Sequence, residues 1–152
     1  GVELNGRTYK NHIDGYNQLD YLTGKVKESP RNEFVYVSDV GEIVAARVDD
    51  WKITYQVMRA KTMAIWLEPF VQLRAPLIFN LRRDPYERAF ENSNTYYDWW
   101  LDHAFAIVPI TQEVGEFLMT FKDFPPSGTP GSFNLTKMQK QIEDANKAAQ
   151  SQ

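Results

Sequence analysis

The side chains able to do acid–base or metal chemistry are few and scattered. The chain holds two histidines, His12 and His103, and no cysteine. Disulfides, thiolate metal sites and a cysteine nucleophile are therefore excluded within these residues. His12-Ile13-Asp14 has the spacing of a metal pair, yet no third ligand is suggested nearby. A loop histidine beside a helix-capping aspartate accounts for it more simply. Asp102-His103 invites a catalytic dyad, but helix neighbours diverge by about 100° and cannot bond without help. A buried or rim histidine is the better reading. Asp49-Asp50 reads either as a cation site or as an acidic hairpin turn that needs no ion. Glu42, Glu68 and Glu87 include no pair that spacing unites as acid and base. Gly-rich phosphate loops, a nucleophile elbow and zinc patterns are all missing from the sequence. Tyr96, Tyr97, Trp99, Trp100 and Phe105 could stack on sugars, though aromatic residues at helical spacing more often form core.

The elements that would position these groups centre on Pro76 to Thr95. Leu77 to Leu81 reads as a short apolar strand, entered from Pro76 at a sheet edge. Asp84-Pro85 forces a turn, because Pro85 fixes its own φ and drives Asp84 out of the helical region. Asn80, Asp84, Pro85 and, further upstream, Trp51 are thus candidate structural residues. Asn92-Ser93-Asn94 supplies capping oxygens, and Thr95 with Asp98 resembles a capping box.

Around that centre the chain divides into a polar lead-in (1–31), an antiparallel meander (33–81), helices (95–124), a Pro/Gly linker (125–133) and a terminal helix (134–149). Asn5-Gly6 marks a turn, and Asp14 is placed to cap a short helix from Gly15 to Leu22 that stops at Gly24. Strands are expected at Glu33 to Ser38, Ile43 to Val48 and from Trp51 on, with turns at Asp39 to Glu42 and at Asp49-Asp50. Trp51, Ile53, Tyr55 and Val57 alternate with Lys52, Thr54 and Gln56, the cleanest period of two in the chain. Met63 to Leu67 is expected as a fourth strand ending at Pro69, with Leu77 to Leu81 either a fifth strand or its replacement at the edge. Thr95 to Val108 is expected as a helix with Tyr97, Leu101, Ala104, Phe105 and Val108 inward, ending or kinking at Pro109. A second helix follows to about Lys122. The terminal helix carries Leu135, Met138, Ile142, Ala145 and Ala149 in one stripe. The fold class is α+β: a small antiparallel sheet of about four strands with helices on one face.

At 152 residues the chain suits one domain. A net charge of -3 supplies no basic footprint for nucleic acid, and no apolar run is long enough to span a membrane. The sequence opens on Gly1 with no visible signal peptide, which reads as a trimmed segment.

Several segments together resemble the C-terminal part of bacterial arylsulfatase-type sulfatases of the alkaline-phosphatase-like superfamily. Leu77-Ile78-Phe79-Asn80-Leu81-Arg82-Arg83-Asp84-Pro85-Tyr86-Glu87 is similar to their late strand-turn segment. Asp14 to Gly24 resembles an earlier Asp-Gly segment, with Asp20 where that family has Pro. Ile43 to Lys52 is similar to a hairpin ending in Trp-Lys, with Val40 where the preceding turn often has Asp. Thr95 to Phe105 and Phe121-Lys122-Asp123-Phe124-Pro125-Pro126 look like one arylsulfatase subgroup. The likeness covers roughly residues 8–145, and four motifs in the family's order make a strong signal.

That resemblance implies a non-catalytic accessory domain of a sulfuric ester hydrolase. Its partner would be an N-terminal catalytic domain carrying the formylglycine nucleophile and calcium ligands, so this chain holds no cofactor of its own and is inactive alone. Arg59, Trp66 and Glu68, on the loop after the Trp51 strand, are candidates for the rim of the parent's substrate pocket; plain surface is the simpler reading of them. The parent's family is compatible with export to the periplasm. Two alternatives stand beside this reading: the tail of a related phosphatase or phosphonate hydrolase, and a free-standing glycan-binding module. Self-association through exposed Tyr96, Trp99, Trp100 and Ile107 is a further expectation, against which the terminal helix would fold back over that face.

Overall fold

The computed structural model describes residues 2–9 and 15–125. His12, Asp14, most of the linker and the terminal helix expected at 134–149 lie outside the described residues. The fold is α+β, as the sequence implies: a four-stranded antiparallel sheet, a separate two-stranded hairpin, and helices on one face of the larger sheet.

The lead-in is more ordered than a polar loop. β1 (Val2–Leu4) and β2 (Arg7–Tyr9) form a hairpin across Asn5 and Gly6. Both central residues have positive φ, 52° and 71°, the geometry that keeps a two-residue turn in step with strand twist. The helix expected from Gly15 shortens to a single turn, α1 (Leu19–Leu22), where Asn17 Oδ1 accepts from the Leu19 amide.

β3 (Glu33–Val37), β4 (Ile43–Val48), β5 (Trp51–Val57) and β6 (Val71–Asn80) are joined in sequence order, each pairing with the next. Gly41 takes φ 82° in the first turn, and Asp49 takes φ 50° in the second. Val35, Ala46, Ile53 and Ile78 stand in one row across all four strands. Ile53 and Ile78 are fully buried, and removing each such side chain from water contributes about 1.5–3 kcal/mol. Trp51, Ile53 and Tyr55 all face the helical layer, in keeping with the alternation in sequence.

Two expectations about this sheet need correction. Met63 to Leu67 is not a strand; Thr62–Trp66 forms a 3-10 turn. The fourth strand begins instead at Val71 and passes through Pro76. An edge strand tolerates the proline because its missing N–H falls on the side that has no strand to pair with.

The helical layer also differs from expectation. α2 (Ala89–Asn92) is a single turn, and α3 (Tyr96–Asp102) ends at His103. A 3-10 turn at Ala104–Ala106 then leads into α4 (Ile107–Met119). Pro109 does not break the helix; it lies in the first turn of α4, where its absent N–H has no intrahelical partner to lose. Thr95 makes no side-chain cap on α3, so the capping box is not formed; the Ser93 hydroxyl accepts from the Thr95 amide instead.

The inward face of α3 was misphased as well. Tyr97, Leu101, Phe105 and Val108, expected in the core, are between 65% and 70% exposed. The inward face comprises Tyr96, Trp99, Trp100, Ala106, Ile107, Ile110 and Val114. α4 crosses β4, where the small Ala46 side chain lets Ile110 and Val114 settle on the sheet. Of the four residues expected on an exposed face, Tyr96 is buried and Trp99, Trp100 and Ile107 are half-buried; the exposed apolar stripe is on the opposite side.

Candidate functional site

The densest chemistry lies where the free edge of β6 meets α3. Ile78 pairs with Ile53 through β5, and its own N–H and C=O point away from the sheet. The Tyr96 hydroxyl meets both: the Ile78 amide donates to it at 3.0 Å, and it donates to the Ile78 carbonyl at 3.0 Å. Two residues earlier, the indole Nε1 of Trp100 donates to the Pro76 carbonyl at 2.8 Å. One face of α3 thus supplies the polar partners that a fifth strand would otherwise provide. Burial pushes the Tyr96 phenol above its ordinary value of 10.0, the bonds to Ile78 acting against that shift.

Downstream of β6 the chain turns through the candidate structural residues. The Asn80 carbonyl accepts from the amides of Arg83 and Asp84, and Asn80 Oδ1 accepts from the Arg83 amide. Asp84 accepts from the amides of Arg88 and Ala89, one through each carboxylate oxygen. Pro85 follows, and the turn closes with Glu87 at φ 55°. That backbone brings the Glu87 carboxylate to Lys52 Nζ at 2.7 Å, in a part-buried ion pair. Lys52 also lies over the Tyr36 ring at 4.6 Å. The strand-turn segment is therefore bolted to the outer face of the sheet by a charge pair and to the helical face by hydrogen bonds.

Between these contacts lies a cleft of about 230 Å³. Ile78, Phe79, Tyr96 and Trp99 form its apolar floor, and Asn80, Arg83, Asp84, Ser93 and Thr95 its polar rim. Phe79, Phe90 and Tyr96 pack edge-on or tilted around it, with ring centroids 6.0 to 6.4 Å apart. The sequence reading singled out Asn80 and Asp84 here but not Arg83, Tyr96 or Trp99 as a group. A signal was present: an edge strand must be covered, and buried Tyr and Trp need polar partners.

The remaining candidates stand apart from the cleft and from one another. His103 is stacked on Trp99 at 4.4 Å and lies 5.5 Å from the Trp51 ring. Its Nδ1 is 2.7 Å from the Trp99 carbonyl; a carbonyl can only accept, so that nitrogen carries the proton. Asp102 is exposed and does not reach it. Trp51 is stacked on Trp99 at 6.1 Å and packs edge-on against Phe105, which places it in the junction between sheet and helices. Arg59, Trp66 and Glu68 sit on the long β5–β6 connection, all solvent-facing, with no ion pair joining them among the described residues. That connection carries Trp66 at 79% and Leu67 at 86% exposure. Its 3-10 turn begins at Thr62, a β-branched residue held at φ 56°, a conformation that costs on the order of 1–3 kcal/mol.

Asp49 and Asp50 form the second hairpin turn, where the Asp49 carbonyl accepts from Arg47 Nε. Among the described residues no group of three or more His, Asp or Glu is placed to hold a metal ion, and no helix is long and apolar enough to cross a membrane. No protein-family model matches this chain, and no curated protein matches it.

Proposed function

We propose that this chain is a non-catalytic C-terminal domain of a sulfuric ester hydrolase, supporting a catalytic domain that holds the nucleophile and metal. The observation that carries the reading is the coherence of the motif-bearing segments. Ile43 to Lys52 forms β4, its turn and the start of β5; Leu77 to Glu87 forms the end of β6 and the turn after it; Thr95 to Phe105 forms the helix covering that edge. Trp51, Asn80 and Asp84 act as packing and hydrogen-bonding residues, which suits a supporting role. The β5–β6 connection supports the rim assignment in a limited way: it is strained at Thr62 and displays Met63, Trp66 and Leu67 to solvent beside Arg59 and Glu68. Exposed apolar side chains of that size favour burial against another surface.

The coding sequence upstream of this segment tests the reading. It is expected to contain Cys or Ser followed by x-Pro-x-Arg together with Asp and Asn metal ligands. A threonine at the nucleophile position would favour a phosphatase or phosphonate hydrolase parent, and an unrelated upstream sequence would overturn the proposal. The isolated chain, given calcium and an aryl sulfate, is expected to release no product above a buffer blank.

A further inference from the structure

We infer that the β3 edge of the sheet is an interface to a second copy of this chain, in which two β3 strands pair antiparallel and join the two sheets into one of eight strands. The inference rests on which backbone groups of β3 have no partner. The Asn32 carbonyl accepts from the Asp49 amide, and the Ser38 amide donates to the Glu42 carbonyl. Strand alternation then turns the peptide groups of Phe34 and Tyr36 toward β4 and those of Glu33, Val35 and Val37 outward. The Glu33 carbonyl is met by Arg31 Nε. The N–H and C=O of Val35 and Val37 have no hydrogen-bond partner among the described residues. Side chains along this edge are open as well, Phe34 at 42% and Val37 at 49% exposure. A row of unpaired donors and acceptors is a template for an extended chain.

A second β3 fits this edge because the strand is complementary to itself. A two-fold axis through Val35, normal to the sheet, sets Val35 against Val35, so that outward groups meet outward groups. The same register sets Val37 of one copy against Glu33 of the other, whose carbonyl keeps a lone pair beside its bond from Arg31. On the outer face it sets Phe34 against Tyr36 twice, a favourable cross-strand aromatic pair. Continued past the strand ends, it brings Asp39 level with Arg31 of the other copy. Asp39 is exposed and has no ion pair among the described residues. Arg31 thereby discriminates: a stray strand displaces it from the Glu33 carbonyl and offers nothing in return, whereas a second β3 supplies a carboxylate. Sliding the pair by two residues toward the turn would set Glu33 against Asp39, two like charges, which fixes the register. None of this depends on the chain's belonging to a sulfatase.

The test is sedimentation equilibrium of the whole chain between about 10 μM and about 1 mM, with amide hydrogen exchange at the same concentrations. A reversible monomer–dimer equilibrium is expected within that range, because a strand pair of five residues is a small interface and holds weakly. The Val35 and Val37 amides should become more protected as concentration rises, while those of α3 stay unchanged. Val37→Pro removes an outward N–H and leaves the ladder to β4 intact. By symmetry it deletes two intermolecular hydrogen bonds, so the dimer dissociation constant should rise by about 10-fold to 100-fold. Asp39→Lys, in an exposed turn, sets cation against cation and should raise it by about 3-fold to 30-fold. Thermal midpoints of the dilute variants show that each is folded, and a fold lost in one leaves the other to report. The inference is overturned if the chain is monomeric at the highest concentration, if Val35 and Val37 protection is independent of concentration, or if a folded variant associates as the parent does.

Discussion

Along β6, Pro76 and Ile78 turn their outward polar groups toward α3 and are met by Tyr96 and Trp100 inside the fold. Along β3, at the other edge of the same sheet, the cover is a single long cation. Arg31 Nε donates to the Glu33 carbonyl at 2.9 Å, and its guanidinium stacks over Phe34 at 4.7 Å and Tyr16 at 5.6 Å. The Tyr16 hydroxyl donates to the Glu33 carboxylate and holds its pKa below the ordinary carboxylate value. Phe34 and Val37 remain substantially exposed. Both devices deter a stray strand. They differ in their alternative to the bond: at β3, water replaces a lost partner, whereas at β6 a lost partner leaves a buried group with none. The same hydrogen bond therefore carries very different weight at the two edges.

The largest expected effect comes from Tyr96→Ala. It removes a side chain only 2% exposed and strands both polar groups of Ile78, so unfolding free energy should fall by about 3–5 kcal/mol. Denaturant titration reads this directly; a loss as small as that of an exposed residue would end the contrast between the edges. Tyr96→Phe keeps the ring and isolates the hydroxyl, for an expected loss of about 1–3 kcal/mol. Trp100→Phe should cost about 1 kcal/mol in the same assay, since the Pro76 carbonyl it abandons is only part-buried.

Alkaline pH probes the same edge without mutation. Burial raises the phenol pKa of both Tyr96 and Tyr55 above the ordinary 10.0. Their contribution is fully present below the unfolded-state value and is lost as pH rises through the folded one, because the unfolded chain gives up those protons first. Stability should hold below pH 10 and fall above it, and Tyr55→Phe should soften that fall. A midpoint independent of pH above 10 would contradict the burial of both phenols. The smallest effect is expected from Arg31→Ala at the β3 edge. A half-buried stacking and hydrogen-bonding cation at the sheet rim contributes about 0.5–1 kcal/mol, and raised salt should change its effect little beyond that.

The meander was legible from local signals, each with a short-range cause. Gly41 and the Asp49-Asp50 pair mark turns whose backbone geometry only a few residue types accept. The alternation from Trp51 to Val57 follows from the pleat, which sends successive side chains to opposite faces. The Asp84-Pro85 turn was legible for the same reason, since proline restricts its own residue and the one before it. Met63 to Leu67 was misread because five apolar residues in a row carry no period of either kind, and length alone does not separate a strand from an exposed turn.

The candidate site was much less legible. A helix with apolar residues around most of its girth fits the period of 3.6 in more than one phase, and the stripe of Tyr97, Leu101, Phe105 and Val108 is as regular as the buried one. Only the assembled sheet chooses between them. Its outer strand presents the Pro76 carbonyl and the Ile78 amide and carbonyl, and residues with polar tips satisfy these where leucine and valine cannot. Local sequence was enough for the first three strands of the meander, their turns and the α+β class, because those follow from the dihedral and pleat preferences of neighbours. The tertiary structure decided which face of α3 turns inward, and with it the union of Arg83, Asn80, Tyr96 and Trp99 around one cleft. Burying a polar edge requires partners from far along the chain, and no local preference encodes where they will meet.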